Sequence, residues 1–460
     1  MGIARHSLAG PPIANPRPYR TDKPLKFLIP ELINRRTGGT FFYGWIILGV
    51  SFAAMLATGP GQTFTLSIII NPLIDQFGFS RTSVSTTYAI ATITAALALP
   101  TVGRLIDRFG QRAMTFVIFF CLGGVCFLFP LVGGVVTLFL GFTGLRLFGQ
   151  GAGMMISFNL ASQWFIRRRG LAMTAIMVGG ALASATYPPV LQRMVGSLGW
   201  GGSYAVLGLS VWALMLLPAL LLVADKPEDL RLLPDGIPVP QAGTQSAEDG
   251  AKSAALEENW TLAEAIRTVP FWMIALAMAV PGMLLTGMMF HQISYFQQQG
   301  LSASTAAGIF PVFSLSMLCT TLVFGPLLDR LPTRYMMTVG LFLLPFTLWF
   351  MLLVETPAQA VIYGVLMGMS AGTYFPAANY VWPRYFGRRH LGSIQGVVNT
   401  INTMGTALGP LPFGVAFDLF GGYREAILVQ SLIPLVMGAA LLFTAPPVKA
   451  AAPATQPGTP

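Results

Sequence analysis

The feature that most constrains this chain is where its charges are missing. Marking every Asp, Glu, Lys and Arg leaves charge-free runs at 37–74, 82–103, 113–145, 147–166, 170–192, 194–224, 268–328, 335–354, 356–383, 391–417 and 426–448. Each reaches or exceeds the roughly 20 residues that a helix needs to cross a bilayer. Soluble domains carry about 25% charged residues, whereas this chain carries 10% and has a mean hydropathy of +0.66. Lipid offers no partner to a backbone N–H or C=O, so runs of this length and spacing must be helices. The fold class is therefore an all-α membrane protein.

The run 268–328 is too long for one helix and divides at Gln297-Gln298-Gln299-Gly300-Leu301-Ser302. Residues 113–166 divide near Gly133-Gly134 and leave Arg146 inside the later helix. Twelve spans result, numbered 1 to 12 in chain order: 42–70, 82–103, 113–132, 136–164, 171–191, 203–224, 270–297, 303–325, 335–354, 359–383, 392–417 and 424–444.

The net charge of +10 would fit a nucleic-acid binder if the cations shared one folded face, but their order along the chain says otherwise. With the N-terminus placed in the cytoplasm, 23 of the 27 cations fall in the tails and inner loops. Three (Arg81, Arg193, Arg424) fall outside, and Arg146 lies within a span. Lys/Arg-rich short loops stay cytoplasmic, so both termini are expected inside a cell membrane, and no nucleic-acid partner is expected. Residues 1–40 lack the apolar core of a secretory signal. Leu25 to Arg36 reads as an unstructured tail or a short surface helix. Cys121, Cys126 and Cys319 fall inside spans and read as small apolar residues.

Nine of the 17 acids, Asp225 through Glu264, crowd into one hydrophilic interior segment. The expected organisation is a tail at 1–40, a six-helix bundle at 41–224, a linker at 225–268, a second bundle at 269–445 and a disordered tail at 446–460. The bundles echo each other. Gly103-x-x-x-Asp107-Arg108-x-Gly110-x-Arg112 follows span 2, and Gly325-x-x-x-Asp329-Arg330-x-x-x-Arg334 follows span 8, an offset of 222 (325 − 103). Phe165 with Arg168-Arg169 returns as Phe386 with Arg388-Arg389, and Pro188 returns as Pro410. Parallel repeats of this kind build carriers whose substrate site lies near the midplane between halves.

The loop Gly103-Arg104-Leu105-Ile106-Asp107-Arg108-Phe109-Gly110-Gln111-Arg112 resembles the signature between helices 2 and 3 of the major facilitator superfamily. Phe79-Ser80-Arg81-Thr82, Arg167-Arg168-Arg169-Gly170-Leu171-Ala172-Met173, Pro234-Asp235-Gly236 and Trp260-Thr261-Leu262 resemble its monocarboxylate and oxalate/formate carrier-like branch. The resemblance implies the major facilitator fold: twelve transmembrane helices in two pseudo-symmetric six-helix bundles. It also implies a secondary transporter that works by alternating access. Carriers of that branch place an arginine on helix 8, and span 8 here has none.

The loop clusters Asp107, Arg108, Arg112 and Asp329, Arg330, Arg334 read as gates, because topology alone would not call for the aspartates. Inside the membrane, Arg146 is the one full charge in any span, at a cost of about 2.5–3.5 kcal/mol for an isolated helix centre. It heads Arg146-Leu147-Phe148-Gly149-Gln150-Gly151-Ala152-Gly153, whose glycines permit close helix approach. It reads as a structural or state-coupling group, as an anion contact, or as incidental. His291, in Phe290-His291-Gln292, is the one histidine in a span, a proton or substrate handle or else an interfacial hydrogen-bonding group. Gly59-Pro60-Gly61 interrupts span 1 and frees carbonyls that need a lined cavity. Gln62 and Thr63 beside it, Asn159, Tyr187, Tyr374, Asn379, Asn399 and Asn402 complete the candidate cavity set.

No nucleotide loop or metal cluster stands in the sequence, so no enzyme activity, cofactor or metal is expected. The expected function is movement of a small organic solute, a monocarboxylate-like anion or a neutral metabolite, by a monomer in the bilayer with a coupled proton or counter-substrate. The alternatives are an exporter of hydrophobic compounds and a non-transporting sensor or assembly factor on the same fold.

Overall fold

A computed structural model describes residues 41–444, apart from 167, 231, 233–234, 236–259 and 388–390, together with Pro30 and Pro447. Apart from those two prolines, both tails, the stretch 25–36, the middle of the linker, and Arg167, Arg231, Lys252, Arg388, Arg389 and Lys449 lie outside the described residues.

Ten helices among the described residues are long and apolar enough to cross a bilayer. One of them, Arg169–Leu221, has 53 residues and contains spans 5 and 6, because it turns at Gly199 with φ 68° and ψ 170°. Glycine tolerates that left-handed φ where a Cβ would be strained. The remaining crossing, span 11, is divided into Leu391–Leu408 and Pro410–Phe420. Twelve crossings are therefore present, as the charge-free runs require.

Two spans depart from simple helices at the sites the sequence marks. Span 1 runs as Gly44–Ala57, tightens to a 3-10 turn at Gly59–Gly61, and resumes as Thr63–Leu66. Span 4 begins as Val135–Gly144, widens to a π-helix over Leu145–Gly153, and returns to α as Met154–Trp164. The π stretch coincides with the arginine–glycine motif, and wide turns of this type gather at functional sites.

The signature after span 2 is not a loop. Helix Arg81–Phe109 continues through Asp107 and Arg108, since nothing between Gly103 and Phe109 stops it, and it ends at Gly110 with φ 87°. Helix Ala303–Arg330 likewise carries Asp329 and Arg330 in its last turn. Arginine in a last turn offsets the negative end of the helix dipole.

The packing repeats from half to half. Spans 1 and 5, 3 and 6, and 2 and 4 pair in the first bundle, and spans 7 and 11, 9 and 12, and 8 and 10 pair in the second. The halves meet where span 2 lies on span 11 and span 5 on span 8, the latter through a hydroxyl contact between Ser184 and Ser314. Large apolar side chains such as Leu97, Val136, Leu140, Leu315 and Val436 remain on the outer surface. A bilayer is the solvent that such a surface suits.

The linker is fixed at both ends to repeat-related points. Asp235 accepts hydrogen bonds from the backbone N–H of Ile166 at 2.9 Å and of Arg168 at 3.2 Å, where span 4 hands over to span 5. Trp260 N–H donates to Phe386 C=O at 3.0 Å, where span 10 ends, and Thr261 with Glu264 forms a capping box beside it. The two linker motifs seen in sequence are thus docking points, one for each half.

Candidate functional site

The break in span 1 poses a hydrogen-bonding problem, and its solution builds the central site. Thr65 Oγ1 donates to Gly59 C=O at 2.7 Å, and Tyr204 Oη donates to Pro60 C=O at 3.3 Å. Arg146 Nη1 donates to Gly61 C=O at 3.5 Å. Gly59 C=O also accepts from Gln62 N–H at 3.0 Å within the turn, so the two freed carbonyls, Pro60 and Gly61, are each met by a donor from the same half. Gly61 is essential to this contact: a Cβ there would stand 2.1 Å from Leu145 C=O and 2.8 Å from Gly149 Cα.

Arg146 is 3% exposed, and its partners are neutral. Nε donates to Thr92 Oγ1 at 3.1 Å, Nη1 also reaches Thr63 Oγ1 at 3.3 Å, and the guanidinium lies 5.0 Å from the Tyr88 ring centroid. Thr63 Oγ1 and Tyr88 Oη share a 2.8 Å hydrogen bond. The Tyr88 ring in turn sits 4.6 Å from Phe290 of span 7, so the Arg146 cluster reaches the junction of the halves. Nη2 has no hydrogen-bond partner among the described residues. A buried cation without a carboxylate is costly unless its donors are used, and most of these are.

The second half repeats the device with different groups. Pro281 in helix Val269–Gln298 has no N–H to donate to Ala277 C=O one turn back. Tyr374 Oη of span 10 fills that role at 3.2 Å. Asn402 of span 11 faces the neighbouring Gly282, where a Cβ would come within 2.6 Å of its Oδ1. Tyr187 plays a matching part in the first half, its ring filling the space beside Gly59. Gln62 is half-buried and donates to Thr58 Oγ1 at 3.1 Å; Asn159 is half-buried on span 4, and Asn399 is exposed on span 11. The side chain of Asn379 lies outside the described residues.

His291 is 1% exposed and bridges the halves. Its Nε2 lies 3.0 Å from Pro410 C=O and 3.2 Å from Ser85 Oγ of span 2. A carbonyl can only accept, so Nε2 carries the hydrogen and Nδ1 is the bare nitrogen. Nδ1 is buried without a partner among the described residues, inside a ring of Phe290, Phe413 and Tyr423.

The charged clusters at the basic end, residues 104–112 and 330–334, bond within their own halves. Arg112 N–H donates to Asp225 Oδ1 at 2.8 Å, and its guanidinium contacts Leu220 C=O, both at the end of span 6. Asp225 thus occupies the N-terminus of helix Gln111–Leu128. Asp107 and Arg108 are exposed, and Arg108 lies over the Phe109 ring. Arg330 is exposed, Arg334 bonds Tyr335 Oη at 3.1 Å, and the Asp329 side chain lies outside the described residues.

The hydrogen bonds that join the halves gather at the opposite end. Asn71 Nδ2 donates to Gln297 Oε1 at 2.5 Å, and Arg81 Nη1 donates to Asn71 Oδ1 at 3.0 Å and to Ser294 Oγ at 2.5 Å. Asp418 accepts from the backbone N–H groups of Arg81 and Thr82. Sequence reasoning singled out none of these as site residues. In the sequence Asp418 only ends the charge-free run 391–417, and Arg81 is an outer-loop cation within the Phe79-Ser80-Arg81-Thr82 motif.

The major facilitator superfamily model matches residues 46–357 and 297–460. The chain belongs to the major facilitator superfamily. Among its relatives is human monocarboxylate transporter 11, 25% identical over 426 residues, covering 90% of this chain and 84% of that protein. The oxalate:formate antiporter of Oxalobacter formigenes is 25% identical over 274 residues, 58% of each chain. The fold resembles a bacterial homolog of the human lysosomal transporter Spinster in an inward-facing, unoccupied conformation. That match has TM-score 0.67 and 13% identity, with 88% of this chain and 97% of that chain covered. It also resembles the nucleoside transporter NupG, with TM-score 0.65 and 13% identity, over 87% of this chain and 99% of that chain. This superfamily member is accordingly a multi-pass membrane transporter and not an enzyme.

Proposed function

We propose that the chain is a secondary active carrier that moves a small organic solute, a singly charged carboxylate or a neutral metabolite, by alternating access between its halves. The observation that carries this reading is Arg146: a buried cation held by neutral groups, with Nη2 unpartnered, at a broken helix beside the other half. One spare cationic donor suits one carboxylate or one polar neutral group, and it disfavours a cationic solute. Gln62 and Tyr187 from the first half and Tyr374 and Asn402 from the second complete the proposed midplane site, with Asn159, Asn379 and Asn399 on its approaches. The names of the monocarboxylate and oxalate:formate relatives support the carboxylate class.

The basic end is proposed to face the cytoplasm, with both termini on that side of a cell membrane, since short Lys/Arg-rich loops are retained there. In that orientation the seam at Asn71, Arg81, Ser294, Gln297 and Asp418 closes the outer side, which supports an inward-facing state. The clusters Asp107, Arg108, Arg112 and Asp329, Arg330, Arg334 then act as the inner gate once the halves close there. The bundle boundaries 41–224 and 269–445 and a monomeric carrier are part of the same proposal.

The test is counterflow into proteoliposomes, screening labelled short monocarboxylates, neutral metabolites and hydrophobic cations. Saturable counterflow of a monocarboxylate or neutral metabolite is expected. For a carboxylate solute, Arg146→Gln is expected to lower counterflow at least tenfold while the protein remains folded. Well-folded protein that carries none of these, or hydrophobic cations alone, overturns the reading.

A further inference from the structure

The contact between span 2 and span 11 contains an arrangement that packing alone does not require. Helix Arg81–Phe109 opens with Ser80 as its cap, and Ser80 Oγ accepts from Ser83 N–H at 3.0 Å. A helix start also leaves the N–H groups of its first two residues unpaired. Here those two groups are paired by the other half: Asp418 Oδ1 accepts from Arg81 N–H at 3.2 Å and Oδ2 from Thr82 N–H at 2.8 Å. The carboxylate thereby sits on the positive end of a 29-residue helix.

The Arg81 guanidinium is not the group that holds Asp418. It turns instead to Asn71 and Ser294 and lies 4.2 Å from the Phe417 ring centroid. Asp418 therefore reads the helix terminus itself. Gly414 stands one turn earlier on the same face of helix Pro410–Phe420. A Cβ there would come within 2.6 Å of Ser85 Oγ and 2.9 Å of Arg81 C=O, so the glycine sets the approach distance that lets the carboxylate reach. One turn earlier again, Pro410 C=O accepts from His291. Residues 410, 414 and 418 form a single stripe laid against 81, 82 and 85.

The geometry assigns Asp418 the role of a state-specific gate residue: a carboxylate of the second half that caps span 2 of the first half only while the halves are closed at this end. The inference rests on the alternating-access reading. When this end opens, Arg81 and Thr82 lose their acceptor and the helix terminus must be met by water, so removing the carboxylate favours the open arrangement. Asp418 contacts no proposed substrate atom; it is a positioning residue for the transport cycle.

The experiment places spin labels on Ser197→Cys and Glu355→Cys, exposed positions on opposite halves at this end, with Cys121, Cys126 and Cys319 replaced by alanine. Double electron–electron resonance in reconstituted nanodiscs reads the closed and open distance populations. Asp418→Asn, which keeps the shape but removes the charge and turns one of the two acceptor oxygens into an NH2, is expected to raise the open-to-closed ratio about fivefold, the effect of losing a charge from a helix N-terminus. Asp418→Glu is expected to restore part of it, and Glu425→Gln, which removes the charge of another exposed acid nearby, to change nothing. Two wild-type populations with an unmoved ratio in Asp418→Asn would refute the gate and leave alternating access standing. A single distance in every variant and condition would refute both.

Discussion

Tyr374→Phe is a one-atom test of how this fold tolerates proline inside a membrane helix. Pro281 cannot donate to Ala277 C=O, and Tyr374 Oη supplies the missing hydrogen bond at 3.2 Å from a side chain that is 1% exposed. Leaving a buried carbonyl unpaired costs about 1–3 kcal/mol. The hydrogen bond is long for an O–H donor, whose usual distance is about 2.7–2.8 Å, which places the expected loss near the lower end, about 1–1.5 kcal/mol. Phenylalanine keeps the ring in place and leaves the Cβ and backbone contact with Gly340 unchanged, so little else is lost. The decisive measurement is a double-mutant cycle of unfolding free energy in mild detergent. Pro281→Ala restores the helix's own N–H donor, so in that background Tyr374→Phe should cost close to nothing, giving a coupling of about 1 kcal/mol. An equal cost in both backgrounds would show that the hydroxyl is not compensating for the proline, and the pairing of the two breaks would fail.

Two other outcomes follow from the same packing. Gly61→Ala should destabilise the protein by about 3 kcal/mol or more, because its Cβ meets rigid backbone at Leu145 and Gly149; Gly49→Ala, with nothing within 4 Å, should be tolerated, and thermal unfolding of the pair reads the contrast. For Asp418, one residue past the charge-free run of span 11, partial burial raises the carboxyl pKa, but hydrogen bonds from Thr82, Ser80 and Arg81 outweigh it and hold the pKa below the usual range. A carboxyl depressed in this way stabilises its contact above the ordinary value of about 3.9 and loses that contribution as pH falls through the lowered one. Arg81, His291 and Tyr423 are within electrostatic reach of the carboxyl. The closed distance population should therefore persist through mild acid and decline below the ordinary carboxylate range, and Asp418→Asn should flatten that profile; a decline centred near pH 6, or one that survives in Asp418→Asn, would refute the carboxylate as its source.

The sequence by itself determined the all-helical class and, with the polar break at 297–302, the number of crossings, because lipid penalises an unpaired charge or backbone group wherever it falls; the repeat was legible in the motifs 222 residues apart. Arg146 and the Gly59-Pro60-Gly61 break were legible for the same reason: each is an expense that a membrane helix must offset. What offsets them was not legible. Thr65, Tyr204 and Arg146 answer the break in span 1, and Tyr374 answers Pro281 from 93 residues away in sequence (374 − 281). Such pairings depend on which helices are neighbours and how each is rotated, and hydropathy carries no record of either. The signature after span 2 read as a loop because its charges ended a run, yet the helix continues to Phe109, since charged residues are tolerated in a helix that has left the hydrocarbon. The tertiary structure alone decided which acid serves which terminus: Asp225 at Arg112, Asp235 at Ile166 and Arg168, and Asp418 at Arg81 and Thr82. A carboxylate that meets a backbone N–H needs no particular partner side chain, so even where the acid stands in a motif, as Asp235 does, only the folded structure says which terminus it serves.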